Sequence, residues 1–527
     1  MSQQSTPPTP TLPRLERAHH WLIAHRAVRF SLAALSGAIL GLAFPPYNFL
    51  PAIGAYAVLL ILLDMADTAA HRPWLERLII GALFGFGFHL MGLWWIGAAF
   101  LVEADRYAIL LPVAVLGLPL ILAPFTALAT LTIGLAPSSL AWRALALALG
   151  ISLTEWLRSF VLTGFPWNAA GVGLTQSNLM AQSAAAVGVN GMALAVVLFG
   201  TLPATLAQRR SRWIAVPAGL VLAAMTAFGV QRLLTAPPTA GDALTVRVVQ
   251  PAVPQDQKWD PANRGDIWSR LLALSASESD GPDVVVWPET AVPFLYRPTG
   301  DVKAALSGAL GDDTLLITGA VEIEDTPQGR RTTNTVYALT PDGAIGGRYD
   351  KARLVPFGEF VPLSGILARL GFEALAAGDA SFSAGPGPQT LAVGRLPPFQ
   401  PLICYEVIFS DAKAEPAEWI VNVTNDAWFG NTPGPRQHLR HARLRAIERG
   451  LPVVRAANTG ISAIIDSTGR VSARLALNDT GAITEPLPPT RAAPYARWGD
   501  LPLYALWLVL AAVLVSARAR AKRQSVN

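Results

Sequence analysis

Cys404 is the only cysteine in a chain of 527 residues. It sits in Leu402-Ile403-Cys404-Tyr405-Glu406, where an apolar run with strand character ends. A lone cysteine is either a small buried hydrophobe or a nucleophile that reacts as its thiolate. Two ionisable residues occupy comparable places. Glu289 follows Val284-Val285-Val286-Trp287-Pro288, where the proline stops a strand and aims the next residue. Lys351 follows a hairpin in Arg348-Tyr349-Asp350-Lys351. Taken singly, a turn glutamate, a solvated lysine and a core cysteine would be unremarked. Taken together they could run acyl transfer. A thiolate attacks an acyl carbon, Glu289 takes the thiol proton and returns it to the leaving group, and Lys351 stabilises the oxyanion. The resulting thioester is discharged by a second nucleophile.

Those three residues need a scaffold that brings strand ends together, and the region around them reads as one. Strands are predicted at 244–250, 284–287, 315–323, 402–405, 419–423 and 453–457, with hairpins at 335–339/346–349 and 461–465/471–475. Helices are predicted after Trp259-Asp260-Pro261, with Asp260 as N-cap, at 303–310, and at 436–449, closed by Gly450. Strands alternating with helices predict a layered α/β domain, in which sites form at strand ends.

The rest of the chain is of another kind. The sequence is 52% hydrophobic and 15% charged, against about 25% charge in an ordinary soluble domain. Seven apolar stretches precede the α/β region, at 29–44, 50–66, 78–100, 107–135, 142–162, 180–206 and 213–232, and an eighth follows at 499–517. Each approaches the roughly 20 residues of a membrane span. Arginines and lysines gather in alternate loops: Arg14, Arg17, Arg26 and Arg29; Arg72 and Arg77; Arg143; Arg209, Arg210 and Arg212; and Arg518, Arg520, Lys522 and Arg523. With eight spans all of these fall on one side, the cytoplasm, which places both termini there and residues 233–498 outside. Residues 1–28 and 518–527 are then basic cytoplasmic segments, and 1–13 are expected to be disordered. The formal charge of +5 follows from this loop pattern, so no nucleic-acid partner is expected. Inside the fifth span, Glu155 and Arg158 are placed to pair across one helical turn, before the turn Thr163-Gly164-Phe165-Pro166-Trp167.

The order Glu289, Lys351, Cys404 resembles the Glu-Lys-Cys triad of the carbon–nitrogen hydrolase (nitrilase) superfamily. The local sequences support it: WPET at 287–290, LVPFGEFVP at 354–362, ICYE at 403–406, NDAWFG at 425–430 and RAIER at 445–449. With its spans, the chain is similar along nearly its whole length to the apolipoprotein N-acyltransferase family. The resemblance implies an αββα sandwich on a membrane helical bundle, in the bacterial inner membrane with the sandwich in the periplasm. It implies transfer of an acyl chain from the sn-1 position of a phospholipid such as phosphatidylethanolamine, through Cys404, to the α-amino group of a diacylglyceryl-modified N-terminal cysteine of an apolipoprotein. By position, Glu359, Glu406 and Asn334 would support the triad, and Trp259, Trp428 and Tyr405 would line the substrate cavity.

Membrane-bound acyl substrates would explain why a hydrolase-like domain stands on so many spans. Residues 357–375, with Val361, Leu363, Ile366, Leu367, Leu370, Phe372 and Leu375, are expected to form an apolar arm over the site. No metal or other cofactor is expected: one cysteine and seven scattered histidines make no ligand spacing, His438 and His441 read as packed or solvated residues of one helix face, and phosphate-binding glycine motifs are missing. Three alternatives stay open: a membrane-tethered amidase, a non-enzymatic scaffold with an external binding domain, and an acyltransferase for another acceptor.

Overall fold

The computed structural model describes residues 21, 22, 24–276, 281–327, 329–362, 382–414 and 416–526. The expected disordered segment 1–13, and the expected arm from residue 363 to 375, lie outside the described residues.

Among the described residues, seven helices are long and apolar enough to cross a membrane: Leu50–Thr68, Pro73–Leu101, Ala104–Leu135, Leu140–Arg158, Ala184–Ala207, Arg209–Leu234 and Leu501–Gln524. They coincide with seven of the eight expected spans. The remaining one, predicted at 29–44, is the helix Arg26–Gly41 of 16 residues. At 1.5 Å per residue it reaches about 24 Å, short of a hydrocarbon core of about 30 Å. It lies along the third-span helix Pro73–Leu93. The last helix also differs from expectation, because it runs unbroken from Leu501 to Val526 and carries the basic tail on its final turns.

Several of the arginines counted for sidedness meet one another through acids. Arg29 pairs with Glu76 at 2.5 Å. Arg143 holds Asp64 at 2.6 Å and Asp67 at 2.5 Å, and Arg77 also pairs with Asp67. These contacts tie the starts of the first, third and fifth helices and the end of the second to one end of the bundle. The α/β domain packs on the opposite end.

That domain is a pair of sheets. The first has strand order β11-β1-β2-β3-β4-β5, and the second β10-β9-β8-β7-β6. The strands are β1 Thr245–Gln250, β2 Val284–Val286, β3 Leu315–Thr326, β4 Gly329–Leu339, β5 Ile345–Asp350, β6 Phe399–Ile403, β7 Trp419–Thr424, β8 Val453–Ala457, β9 Ala463–Ile465, β10 Val471–Arg474 and β11 Gly481–Pro486. β1, β2 and β3 are parallel, as are β6, β7 and β8. Central parallel strands are buried on both faces, so they read as unbroken valine-rich runs. Strand β11, not anticipated from the sequence, closes the first sheet by pairing antiparallel with β1.

The facing sides of the two sheets share one core, in which Val248, Val286, Ile317 and Val336 meet Ile403, Trp419, Val421 and Val454. The helices Arg264–Ser275 and Gly300–Leu310 cover the outside of the first sheet. The helix Pro433–Arg449 covers the outside of the second, through Ala442 and Ala446. This gives the expected αββα order, but the last layer has no free side. Thirteen of the seventeen residues of Pro433–Arg449 are buried, because the helix bundle covers its other face. A helix rich in Arg, His and Gln is thus interior, where each polar group needs a partner.

Candidate functional site

The first sheet supplies a charged rim. Glu289 leaves β2 after Pro288 and passes over Gly319 of β3, where a Cβ would come within 2.5 Å of Thr290 N and 2.6 Å of Glu289 Cα. Only glycine admits that approach. Thr290 adopts a left-handed backbone at φ 46. Glu289 Oε1 accepts from Asn334 Nδ2 at 2.7 Å and lies 3.5 Å from Lys351 Nζ. Lys351 follows β5 directly, and its backbone N donates to the Asn334 carbonyl at 2.8 Å. Its ammonium, 1% exposed, donates to Glu359 Oε1 at 2.7 Å. Asn334 Nδ2 also reaches Glu359 Oε1 at 3.2 Å, and Val355 N donates to Glu359 Oε2 at 2.8 Å. Burial alone would push the Lys351 ammonium down, but the carboxylates of Glu359 and Glu289 outweigh it and hold the pKa above that of an ordinary lysine.

The second sheet supplies the thiol. Strand β6 stops at Ile403, one residue short of Cys404, which begins a single 3₁₀ turn, Cys404–Ile408. The sequence placed Cys404 inside the strand. A positive φ of 48 takes it out, a conformation that costs a non-glycine residue about 1–3 kcal/mol. Burial, with help from the Glu289 carboxylate, pushes the thiol pKa well up. The resting group is therefore SH, and it needs a base.

The turn is pinned from both sides. Glu406 lies behind it, accepting from Ile403 N, Tyr349 Oη and Ala352 N at 2.8 Å each and from Arg353 N at 3.1 Å. It thereby joins the cysteine turn to the loop after Lys351, and its burial raises its pKa. On the other side His438 Nε2 donates to the Cys404 carbonyl at 3.0 Å, while Nδ1 lies 2.8 Å from Asp426 Oδ1. Arg455 donates to Asp426 Oδ2 at 2.7 Å and to Asn422 Oδ1 at 2.5 Å. Burial would raise the Asp426 pKa, but Arg455 and His438 overcome it and bring it down to about 2. Cys404, Asp426 and His438 offer atoms within 4.8 Å of one another, a spacing that would admit a metal ion. The hydrogen bonds made by both histidine nitrogens and both aspartate oxygens already engage the donors such an ion would need.

Among the sequence-derived candidates, Glu289, Lys351, Asn334 and Glu359 form one contact cluster, and the charges of Glu289 and Lys351 both bear on the Cys404 thiol. Trp259 and Trp428 are half-exposed. Tyr405 turns toward the membrane helices, where its hydroxyl donates to Gly164 O at 2.8 Å. Arg158, paired with Glu155 at 2.5 Å, donates to Trp167 O at 2.9 Å and holds the same turn.

Sequence reasoning missed Lys258, Arg455 and Gln437, and placed His438 only as a packed or solvated helix residue. The Gln437 amide spans the joint between domain and bundle. Its Oε1 accepts from Trp95 Nε1, Trp167 Nε1 and Asn168 Nδ2 at 3.1, 2.8 and 3.2 Å, and its Nε2 donates to Pro45 O and Gly92 O at 3.1 and 3.2 Å. A helical period of polar residues cannot announce this, because the partners arrive from distant loops. Asp426 had a signal, since it lies in the quoted NDAWFG segment.

Comparison with known proteins matches these two regions separately and together. Residues 245–497 match the carbon-nitrogen hydrolase family, and residues 36–202 match the apolipoprotein N-acyltransferase N-terminal domain. The chain is 42% identical over 519 residues to an apolipoprotein N-acyltransferase of Rhodopseudomonas palustris, covering 93% of this chain and 95% of that one. This chain belongs to the apolipoprotein N-acyltransferase family. Another family member, from Allorhizobium ampelinum, is 45% identical over 469 residues, covering 86% of this chain and 88% of its own. Among solved structures, an amidase from Nesterenkonia sp. aligns at 20% identity and a TM-score of 0.34, over 51% of this chain and 99% of its own. As a member of that family, the chain is a membrane enzyme of lipoprotein maturation, its αββα domain lying in the one matched region and most of its spans in the other.

Proposed function

We propose that this acyltransferase takes its acyl chain from a membrane phospholipid, carries it as a thioester on Cys404, and delivers it to the α-amino group of the diacylglyceryl-cysteine that begins an apolipoprotein. The observation that carries this reading is the meeting of Glu289, Lys351 and Cys404 in a buried site at the joint with the membrane helices. In the first half, Glu289 takes the thiol proton, the sulfur bonds to the ester carbon, and the carbon–oxygen bond breaks. The proton then passes from Glu289 to the departing lysolipid oxygen. In the second half, the acceptor amine attacks the thioester and the carbon–sulfur bond breaks, with Glu289 moving the amine proton to sulfur. Lys351 donates to the oxyanion in both halves, held in place by Glu359. Asn334 orients Glu289, and Glu406 holds the cysteine turn. Trp259 and Trp428, both half-exposed, are the candidate walls that receive the chains, while Tyr405 braces the cysteine turn against the bundle.

The same reading gives phosphatidylethanolamine as a donor, and places the domain in the periplasm with both termini in the cytoplasm of an inner-membrane protein. Its support is the arginine-rich end of the bundle, opposite the domain, together with the preference of such residues for the cytoplasmic side.

The test is to incubate the protein with phosphatidylethanolamine of one defined acyl chain and find that chain on Cys404 by intact mass and peptide mapping. A diacylglyceryl-cysteine peptide is then added. The adduct should persist in water and disappear as the peptide gains an N-acyl group. No adduct with any phospholipid would reject the donor and the thioester. An adduct that the peptide cannot discharge would reject the acceptor.

A further inference from the structure

Lys258 is a second buried ammonium at this site, 4% exposed, and the two half-reactions above give it no task. It precedes the half-exposed Trp259, whose ring centroid is 5.8 Å from Nζ. Its Nζ donates to the backbone oxygen of Glu289 at 3.1 Å and to Thr290 Oγ1 at 2.6 Å. These acceptors belong to the segment that Gly319 lets through and that Thr290 completes with a left-handed backbone. Both are neutral. Lys351, by contrast, touches two carboxylates.

Counting charge shows what a second cation would change. Counted with two carboxylates, Glu289 and Glu359, one ammonium, Lys351, and the thiol intact, the sum is −1. Passing the thiol proton to Glu289 leaves the sum at −1, with the anion now on sulfur. Attack on the acyl carbon moves it to the oxyanion. At every stage these four groups carry one unbalanced negative charge unless Lys258 is protonated; Glu406, behind the cysteine turn, lies outside the sum. A low-dielectric site makes that imbalance costly.

We infer that Lys258 is a positioning residue for acyl transfer: its ammonium fixes the Glu289–Thr290 segment and supplies the second positive charge that balances the thiolate and the oxyanion. The inference rests on the thioester reading above. The titratable groups among the described residues that act on Lys258 are Glu289 and Cys404, with the Trp259 ring beside it. Burial lowers its pKa to about 8, against the opposing pull of Glu289 and Cys404. The charge is therefore present below that pH and lost above it. A neutral amine still donates hydrogen bonds, so raising the pH removes the charge and leaves the clamp.

The experiment measures the rate of acyl-Cys404 formation from phosphatidylethanolamine, by quenched intact mass, between pH 6 and pH 10. The full-length protein is compared with K258M and K258R. The wild type should slow as pH rises through about 8. K258R, which stays charged, should keep its rate to the top of the range. K258M should be slower by about 10- to 100-fold at neutral pH, the scale of one lost charge interaction in a partly screened site, and flat in the alkaline range. Its thermal midpoint should fall only modestly, since the Glu289 carbonyl and Thr290 Oγ1 each lose one donor. A K258M enzyme as fast as wild type would overturn the inference. So would an alkaline limb that K258R leaves in place, or loss of rate in both variants with a collapsed thermal midpoint, which would make Lys258 purely structural. A wild type that forms no adduct would remove the thioester reading and this inference with it. An adduct that forms equally well in all three proteins would remove the inference alone.

Discussion

The rim built by the first sheet and the rim built by the second meet at one site but are held in opposite ways. On the first, Glu289, Asn334, Lys351 and Glu359 touch each other directly, so every side chain is both a candidate participant and the support of its neighbour. On the second, Cys404 is held mainly through backbone, with the Thr424 side chain at its thiol. His438 grips its carbonyl, Glu406 grips the amide before it, and the charges of Asp426 and Arg455 lie one layer back. Chemistry and support are therefore entangled on one rim and separable on the other. Changes to the first rim should cost rate. Changes behind the second should cost stability first.

The largest effect expected is from Cys404→Ala, which should remove the acyl adduct and lower N-acylation of a diacylglyceryl peptide by at least about 10⁴-fold, as for other nucleophile deletions. Intact mass and peptide acylation read both. If Glu289 is the base proposed above, Glu289→Gln should cost about 10²- to 10⁴-fold in rate, with little change in thermal midpoint, because the amide can still accept from Asn334. If Glu289→Gln instead melted early at full specific activity, the contrast between the rims would be wrong. Arg455→Met should do the reverse. It strands the buried Asp426 carboxylate, at a cost of about 3–5 kcal/mol, visible as a lowered midpoint in a thermal melt.

Some of this was legible. The spans could be read because each must be apolar for its whole length, and Val284–Val286 and Val453–Ala457 because buried parallel strands are apolar throughout. The charged rim was legible for a related reason: Glu289 and Lys351 each stand beside a strand end that the pattern marks. On the other rim Cys404 and Glu406 were legible, but the network behind them was not. His438, Asp426 and Arg455 come from three separate elements, and nothing in Pro433–Arg449 tells that its polar face is covered. Lys258 was equally invisible, since a lysine before a tryptophan in a turn looks like any solvated one. Strand β11 escaped because Gly481-Ala482-Ile483-Thr484-Glu485 is half-exposed at a sheet edge and lacks a full apolar face.

A smaller effect sharpens the same contrast by pH. Asp426 has its pKa lowered in the folded state, from 3.8 to about 2. Its contribution is complete above the unfolded value and is lost as pH falls through the folded one. That amounts to about 2 kcal/mol over the interval. Acid unfolding of the wild type should show this loss between about pH 4 and pH 2, and Arg455→Met should show less of it. Equal acid sensitivity in the two proteins would mean that Arg455 does not set the Asp426 charge. The smallest effect on rate is expected from Gln437→Glu. It keeps the acceptor for Trp95 and Trp167 and loses the two donations to Pro45 and Gly92, so the domain should loosen from the bundle with only a modest fall in rate. Hydrogen exchange along Pro433–Arg449 would detect it.

Gln437 and His438 are consecutive residues of one helix, yet the first binds the loops of the bundle and the second binds the carbonyl of Cys404. A single peptide unit thus relates the sulfur to the spans. A domain on a flexible tether would sample many heights above a lipid surface. Here one helix sets the distance between the sulfur and the spans, so the domain is held on the bundle like a tool in a fixed mount.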